Sequence, residues 1–153
     1  MTMASGCLDT PLGPLSVIST AGRIERLRWG DFSAGPRAPE IAAALDQLAA
    51  YFAGDLREFD LPLHVEASPF QQAVCTAMLA IPFGETRTYG DLAHDLDVPA
   101  QAIGGACGGN PIPVIIPCHR VLGAHSLGGY SGDGGVETKV WLLKHEDAGG
   151  LLI

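Results

Sequence analysis

"NPIPVIIPCHRV", Asn110–Val121, is the stretch on which the reading of this chain turns. Pro111, Pro113 and Pro117 lack an N–H donor, so they are barred from a helix interior and fit poorly in a central strand. Ile112, Val114, Ile115 and Ile116 are apolar and call for burial. The stretch is therefore expected to be extended, irregular and buried, and to deliver Cys118 to a fixed place. A thiol becomes a nucleophile when a nearby base or cation lowers its pKa from about 8.5. His119 and Arg120 follow directly, and Arg120 adds positive charge. Adjacent side chains on an extended chain point to opposite sides, so His119 is expected to reach the sulfur through a water. Glu146, in "KHE", is a candidate to hold the other imidazole nitrogen.

Upstream, the pattern is helical. "SPFQQAVCTAMLAIP" has Ser68 as a cap and Pro69 at the first helical position. Phe70, Val74, Ala77, Met78 and Ile81 form one stripe, and Pro82 and Gly84 end it. "TYGDLAHDLDV" reads as a second helix capped by Thr88, and "PAQAIGGACGG" as a third from Pro99. Two short helices about "HDLDVP" match a helix-turn-helix, and equally two packing helices of any α-rich domain. Cys75 and Cys107 fall on helical stripes and read as small core hydrophobes. Downstream, Gly123, Gly128, Gly129, Gly132, Gly134 and Gly135 make a glycine-rich loop that reads as a pocket wall. "VETKVWLLKHEDA" closes the domain as a helix with Val136, Val140 and Leu143 on one face.

The first part of the chain differs. "LSVIST" and "RIERLRW" read as antiparallel strands joined near Ala21–Gly22. In "PEIAAALDQLAAYFAG", Ile41, Leu45, Leu48 and Phe52 recur at helical spacing between Pro39 and Gly54. "LREFDLPLHVEAS" carries a strand-like alternation and then a connector. The expected organisation is an α/β N-terminal domain with a small antiparallel sheet over residues 1–67. An α-helical C-terminal domain follows over residues 68–153.

Composition sets outer bounds. Of 153 residues, 47% are apolar, enough for a buried core, and no apolar run is long enough to span a membrane. The opening "MTMASGCLDT" lacks a secretory pattern, which points to the cytoplasm. The four cysteines form no C-x-x-C pair, and a zinc site would need distant residues such as Cys7 and His64, so no metal or cofactor is expected. The net charge of −8 is awkward for gripping phosphates, although net charge also serves solubility. The residues alone leave two enzyme classes open, a cysteine hydrolase and an alkyl or acyl acceptor. A hydrolase also needs an oxyanion hole and a base touching the thiol.

"GNPIPVIIPCHRV" resembles the active-site segment of the O6-alkylguanine-DNA alkyltransferases, the methylated-DNA–protein-cysteine methyltransferases. The resemblance extends through "SPFQQAVCTAMLAIPFGETRTYGDLA" and "GGYSGDGGVETKVWLLKHE", covering Ser68 to Asp147. It implies a helix-turn-helix that docks in the minor groove of double-stranded DNA and flips the damaged guanine into a pocket. The flip is needed because a stacked base cannot reach a protein sulfur. It further implies a single-turnover transfer of the alkyl group from O6-alkylguanine, with O4-alkylthymine as a second substrate, to Cys118. His119 would take the thiol proton through a water, Glu146 would orient His119, and Asn110 would brace the turn before the cysteine. Tyr89 would sit by the flipped base, Tyr130 would line the pocket, and Ser131 would donate to the O6 region. The backbone at Val121 would read the guanine edge, Arg120 would add positive charge, and Lys139 would lie near the site.

The departures from the family pattern gather on the DNA side. Gln101, in "AQAIG", stands where the family carries an arginine that fills the gap left by the flipped base. Gly108 and Gly109 stand before the Asn-Pro where many relatives have another arginine, and Cys75 stands where a tryptophan is usual. From Ser68 onward, Arg87, Arg120, Lys139 and Lys144 face eight Asp and Glu. The expectation is a monomer that binds duplex DNA weakly with its sulfur chemistry intact. The alternative is a divergent alkyl acceptor or alkyl-base binder acting on free base, single strand or another alkylated molecule.

Overall fold

The computed structural model describes residues 2–32, 35–130 and 135–148. The chain divides into two compact units, Met1–Glu66 and Ala67–Ile153.

In the first unit, β1 (Met3–Thr10), β2 (Gly13–Thr20) and β3 (Arg23–Trp29) form an antiparallel sheet in that order. The predicted pair is β2–β3. Its loop, Ala21–Gly22, has positive φ at both residues (53° and 82°), the twist that closes a tight two-residue hairpin. β1 was not expected, because "MASGCLDT" has small and polar residues where strand formers are usual. It is a strand because β2 pairs with it along its whole length. Helix α1 (Pro39–Phe52) covers the sheet, burying Ile41, Ala44, Leu45, Leu48 and Tyr51 against Ala4, Leu15, Val17, Ile24 and Leu27. Phe52, expected on that face, yields to Tyr51. Gly6 permits the close approach: a Cβ there would lie 2.7 Å from Ile41 Cγ2.

"LREFDLPLHVEAS" is not a strand. It meets β3 at one point, where Ile24 N–H donates to Pro62 O (2.7 Å) and His64 N–H donates to Ile24 O (2.9 Å). Pro62 offers no donor, so the ladder does not extend.

The second unit begins with α2 (Pro69–Leu79), whose N-cap Ser68 accepts from Gln71 N–H at 3.1 Å. Val74, Cys75 and Met78 are its buried face, while Phe70 is 37% exposed, so the stripe is rotated toward Cys75 from the predicted one. Next come β4 (Arg87–Thr88), α3 (Tyr89–Leu96) and α4 (Ala100–Gly108). Thr88 and Asp91 form a reciprocal capping box at the start of α3, a device worth about 1 kcal/mol. The helix ends at Asp97 in the left-handed region (φ 55°), and the turn to α4 runs through Val98 and Pro99.

The Pro-rich stretch is buried and irregular, but tighter than expected. Ile116 N–H returns to Ile112 O (2.9 Å), and Val114 sits at φ +72°, a strained value for a β-branched residue. Cys118–Arg120 form a 3-10 turn instead of an extended run, and β5 (Val121–Leu122) then pairs in parallel with β4.

Helix α5 (Val136–His145) buries Thr138, Lys139, Leu142 and Leu143. Val136 is 42% exposed, so the predicted Val136–Val140–Leu143 face is corrected. A buried lysine and, at the C-cap, a buried Glu146 lie on the inward side because each finds polar partners there.

Candidate active site

The 3-10 turn after Pro117 places three consecutive buried side chains, Cys118, His119 and Arg120. Asn110 fixes what precedes them. Its Nδ2 donates to Ile116 O (2.8 Å) and its Oδ1 accepts from Ile112 N–H (3.0 Å), so one side chain clasps both ends of the turn.

His119 Nε2 lies 2.7 Å from Glu146 Oε2. Arg120 Nε donates to Glu146 Oε1 (2.7 Å), its Nη2 to Oε2 (3.1 Å), and its Nη1 to Ile81 O (2.6 Å). Burial alone would raise the Glu146 carboxyl, but hydrogen bonds and charge from His119 and Arg120 outweigh it and hold the group near about 2. Burial lowers the His119 pKa, opposed by Glu146. The consistent state is a neutral imidazole donating Nε2–H to the carboxylate, with Arg120 carrying the balancing charge. The tautomer follows from this network. Nδ1 is then an acceptor, and it is buried without a hydrogen-bond partner.

Burial pushes the Cys118 thiol up, while the Asn110 amide and the Lys139 charge pull it down. Lys139 is fully buried. Its Nζ donates to Val121 O (2.7 Å) and Gly129 O (3.0 Å) and lies 5.7 Å from the centre of the Tyr89 ring. Burial lowers its pKa to about 8, against the opposing pull of Cys118 and Cys107. Lys139 thus ties β5 to the glycine-rich loop. Gly128 in that loop has no room for a Cβ, which would fall 2.6 Å from the Tyr89 hydroxyl.

Beside Cys118 is a cavity of about 500 Å³, lined also by Tyr89, Gly104, Cys107, Gly108, Gly129 and Tyr130. Of the predicted residues, Cys118, Tyr89 and Tyr130 meet in it. His119, Glu146, Asn110 and Lys139 stand behind its wall. Arg120 turns to Glu146 and Ile81, away from the lining, and Val121 is buried with its carbonyl engaged by Lys139. Gln101 is exposed on α4 and does not line the cavity. Ser131 lies outside the described residues.

The reading from sequence missed Gly104, Cys107 and Gly108. Their spacing puts them on one face of α4, a usable signal had the cavity been known. Cys107 was read as core. It is buried, 3.7 Å from Met78 Sδ, and burial pushes its thiol up to about 12, so it is an inert lining group. Among the described residues, Glu25, His64 and Glu66 in the first unit have metal-ligand atoms within 4.8 Å of one another, and Cys7 is not among them. His64 and exposed Glu66 already form a 2.6 Å ion pair, which accounts for the grouping.

A thiol on the wall of a cavity, with a carboxylate-held imidazole next to it in the chain, fits a protein that takes a group onto its own sulfur. Comparison with known proteins gives the family. Residues 3–65 match the 6-O-methylguanine DNA methyltransferase ribonuclease-like domain, and residues 69–148 match the DNA binding domain of the same name. The methylated-DNA–protein-cysteine methyltransferase of Mycobacterium tuberculosis H37Rv is 44% identical over 149 residues, covering 91% of this chain and 89% of that protein. The constitutive enzyme of Bacillus subtilis is 40% identical, with 90% and 92% covered. The crystal structure of Mycobacterium tuberculosis OGT in complex with DNA superposes with a TM-score of 0.83 at 43% identity, covering 94% of this chain and 92% of that one. The chain belongs to the 6-O-methylguanine DNA methyltransferase family.

Proposed function

We propose that this protein repairs alkylated DNA by moving the alkyl group of O6-alkylguanine onto Cys118, once per molecule. The carrying observation is the cavity that Cys118 lines, together with the His119–Glu146 pair that follows it. Burial keeps the resting sulfur protonated, so its proton must leave during the reaction. His119 Nδ1 is the base available to take it through a bridging water, and the Glu146 carboxylate stabilises the imidazolium that forms. The S–C bond forms as the C–O6 bond breaks, the electron pair passes to the guanine as O6 becomes a carbonyl, and the proton given up by the thiol ends on the guanine ring nitrogen. The thioether is stable, which makes the transfer stoichiometric. Asn110 and Lys139 support the thiolate.

The helix pair α3–α4 is the element we assign to the DNA groove, with Tyr89 near the extruded base and Gln101 in the gap left in the stack. Gln101 brings no charge, and Arg87, Lys139 and Lys144 are the only other cations of this half besides the paired Arg120. Weak, salt-insensitive duplex binding follows. One chain supplies nucleophile, base and carboxylate, so a monomer suffices.

The test is intact-mass measurement after incubation with a duplex containing O6-methylguanine. A gain of one methyl group, mapped to Cys118 and absent in Cys118→Ala, is expected. An unmodified protein that still binds the duplex would make it a reader of alkylated bases instead.

A further inference from the structure

Of the four cysteines, Cys118 and Cys107 line the same cavity, and Cys7 and Cys75 do not. Asn110 joins the two lining residues. Its backbone N–H donates to Cys107 O (3.3 Å), and its side-chain amide hydrogen-bonds the Cys118 thiol. The Lys139 ammonium acts on both sulfurs, and a charge on Cys118 acts on Cys107 more strongly than Lys139 does. Coulombic influence falls with distance, so the two thiols are close neighbours. Cys107 also sits on a yielding element. Gly104, Gly105 and Gly108 flank it on α4, and a Cβ built on any of them would meet no atom within 4 Å. Glycine weakens a helix, so this turn can shift without disturbing a packed neighbour. The Cys107 thiol rests 3.7 Å from Met78 Sδ, a weak contact that a change of rotamer gives up. A disulfide needs Cα atoms within about 7 Å of each other, and the loose end of α4 gives Cys107 the freedom to meet that.

We propose that Cys107 is a resolving thiol, and that a hydroperoxide entering the cavity closes Cys107 and Cys118 into a disulfide that reductant reopens. The bridge itself stands apart from the repair reading, and only its effect on alkyl transfer rests on that reading. Cys118 reacts first, because Asn110 and Lys139 favour its thiolate and Cys107 lacks the amide. Its sulfur attacks one peroxide oxygen and the O–O bond breaks. Cys118 becomes a sulfenic acid, and its thiol proton ends on the leaving oxygen as water, or as an alcohol from an organic peroxide. The Cys107 sulfur then attacks the Cys118 sulfur, the S–O bond breaks, and hydroxide leaves with the Cys107 proton as water. Both sulfurs are oxidised and the peroxide is reduced. Without a resolving thiol the sulfenic acid proceeds to sulfinic acid, which thiols do not reduce. A chain that transfers once per molecule loses its single turnover to that step, and the bridge preserves it.

The experiment exposes reduced wild type, Cys107→Ala and Cys107→Ser to hydrogen peroxide, blocks the remaining thiols with N-ethylmaleimide, and reads intact mass and linked peptides. Thermal melts establish which variants are folded, and the wild-type map tests the bridge without them. The wild type should lose two hydrogens and yield a Cys107–Cys118 linked peptide. Its transfer from a duplex containing O6-methylguanine should stop, and dithiothreitol should restore it. Each folded Cys107 variant should instead carry sulfinic acid on Cys118 and, after dithiothreitol, recover about tenfold less of its own starting rate. A wild type that stays reduced, that gains sulfinic acid on Cys118, or that links Cys118 to Cys7 or Cys75 overturns the inference. Recovery in the variants equal to that of the wild type does so as well. Reduced wild type that transfers no methyl group removes the repair reading and leaves the bridge to be decided by the peptide map alone.

Discussion

His119 and Glu146, 27 residues apart, are joined by a 2.7 Å hydrogen bond between two side chains that are fully out of water. The same carboxylate accepts from Arg120 through both oxygens, from Nε at Oε1 and from Nη2 at Oε2. One buried anion therefore orients the imidazole and neutralises the guanidinium. Glu146→Gln keeps the shape and removes the charge, leaving Arg120 buried without its counter-ion. The expected loss is about 3 kcal/mol or more in urea unfolding, with alkyl transfer slowed in whatever remains folded. Unchanged stability would mean that water reaches the pair.

Acid should unfold the protein in two stages. His119 has a lowered pKa when folded, so below its ordinary 6.5 the unfolded chain binds the proton more readily, and stability falls. Glu146 drops from 4.5 to about 2 on folding, so its contribution is complete above 4.5 and is lost as pH falls toward 2. Denaturant midpoints measured from pH 7 to 3 should decline throughout, and His119→Gln should flatten the upper part of the curve.

Asn110→Ala should act on structure and reactivity together. It strips partners from Ile112 N–H and Ile116 O in a turn that already holds Val114 at positive φ. Each group left unpaired costs about 1–3 kcal/mol. A thermal melt should register the loss, and thiol alkylation by iodoacetamide should shift to higher pH, because the amide no longer favours the thiolate.

Lys139→Met separates charge from volume. The lysine charge lowers the Cys118 pKa, so the variant's thiol should titrate at higher pH in the same iodoacetamide assay. The Val121 and Gly129 carbonyls lose their donor, so the glycine-rich loop should also become more sensitive to proteolysis. An unmoved titration would place Lys139 in a purely structural role.

Gln101→Arg adds a cation at an exposed position of α4 without touching the sulfur. Duplex affinity should rise, and the slope of log affinity against log salt should steepen by about 1. Transfer to free O6-benzylguanine reports on the pocket alone and serves as the comparison.

Much of this was legible in local pattern. Ser68 and Thr88 announced two helix starts, since a cap is a short-range hydrogen bond written within four residues. The hairpin at Ala21–Gly22 and the amphipathic α1 were visible for the same reason. Strand β1 and the linker by Pro62 were misread because pairing along an edge depends on the neighbour's free groups, which propensity does not record. The face of α5 was misread because Lys139 and Glu146 are buried by virtue of partners elsewhere in the chain.

The sequence by itself determined that Cys118 would be delivered to a fixed place and that His119 and Glu146 were its candidate associates, while Asn110 came from the family resemblance. The prolines restrict the backbone locally, and the residue types carry the chemistry. Only the tertiary structure decided that the carboxylate takes Nε2 and leaves Nδ1 as an acceptor, that Arg120 turns inward, and that α4 glycines line the cavity. Those outcomes depend on which buried polar groups find each other and where no atom fills the space, and both are properties of the packed chain.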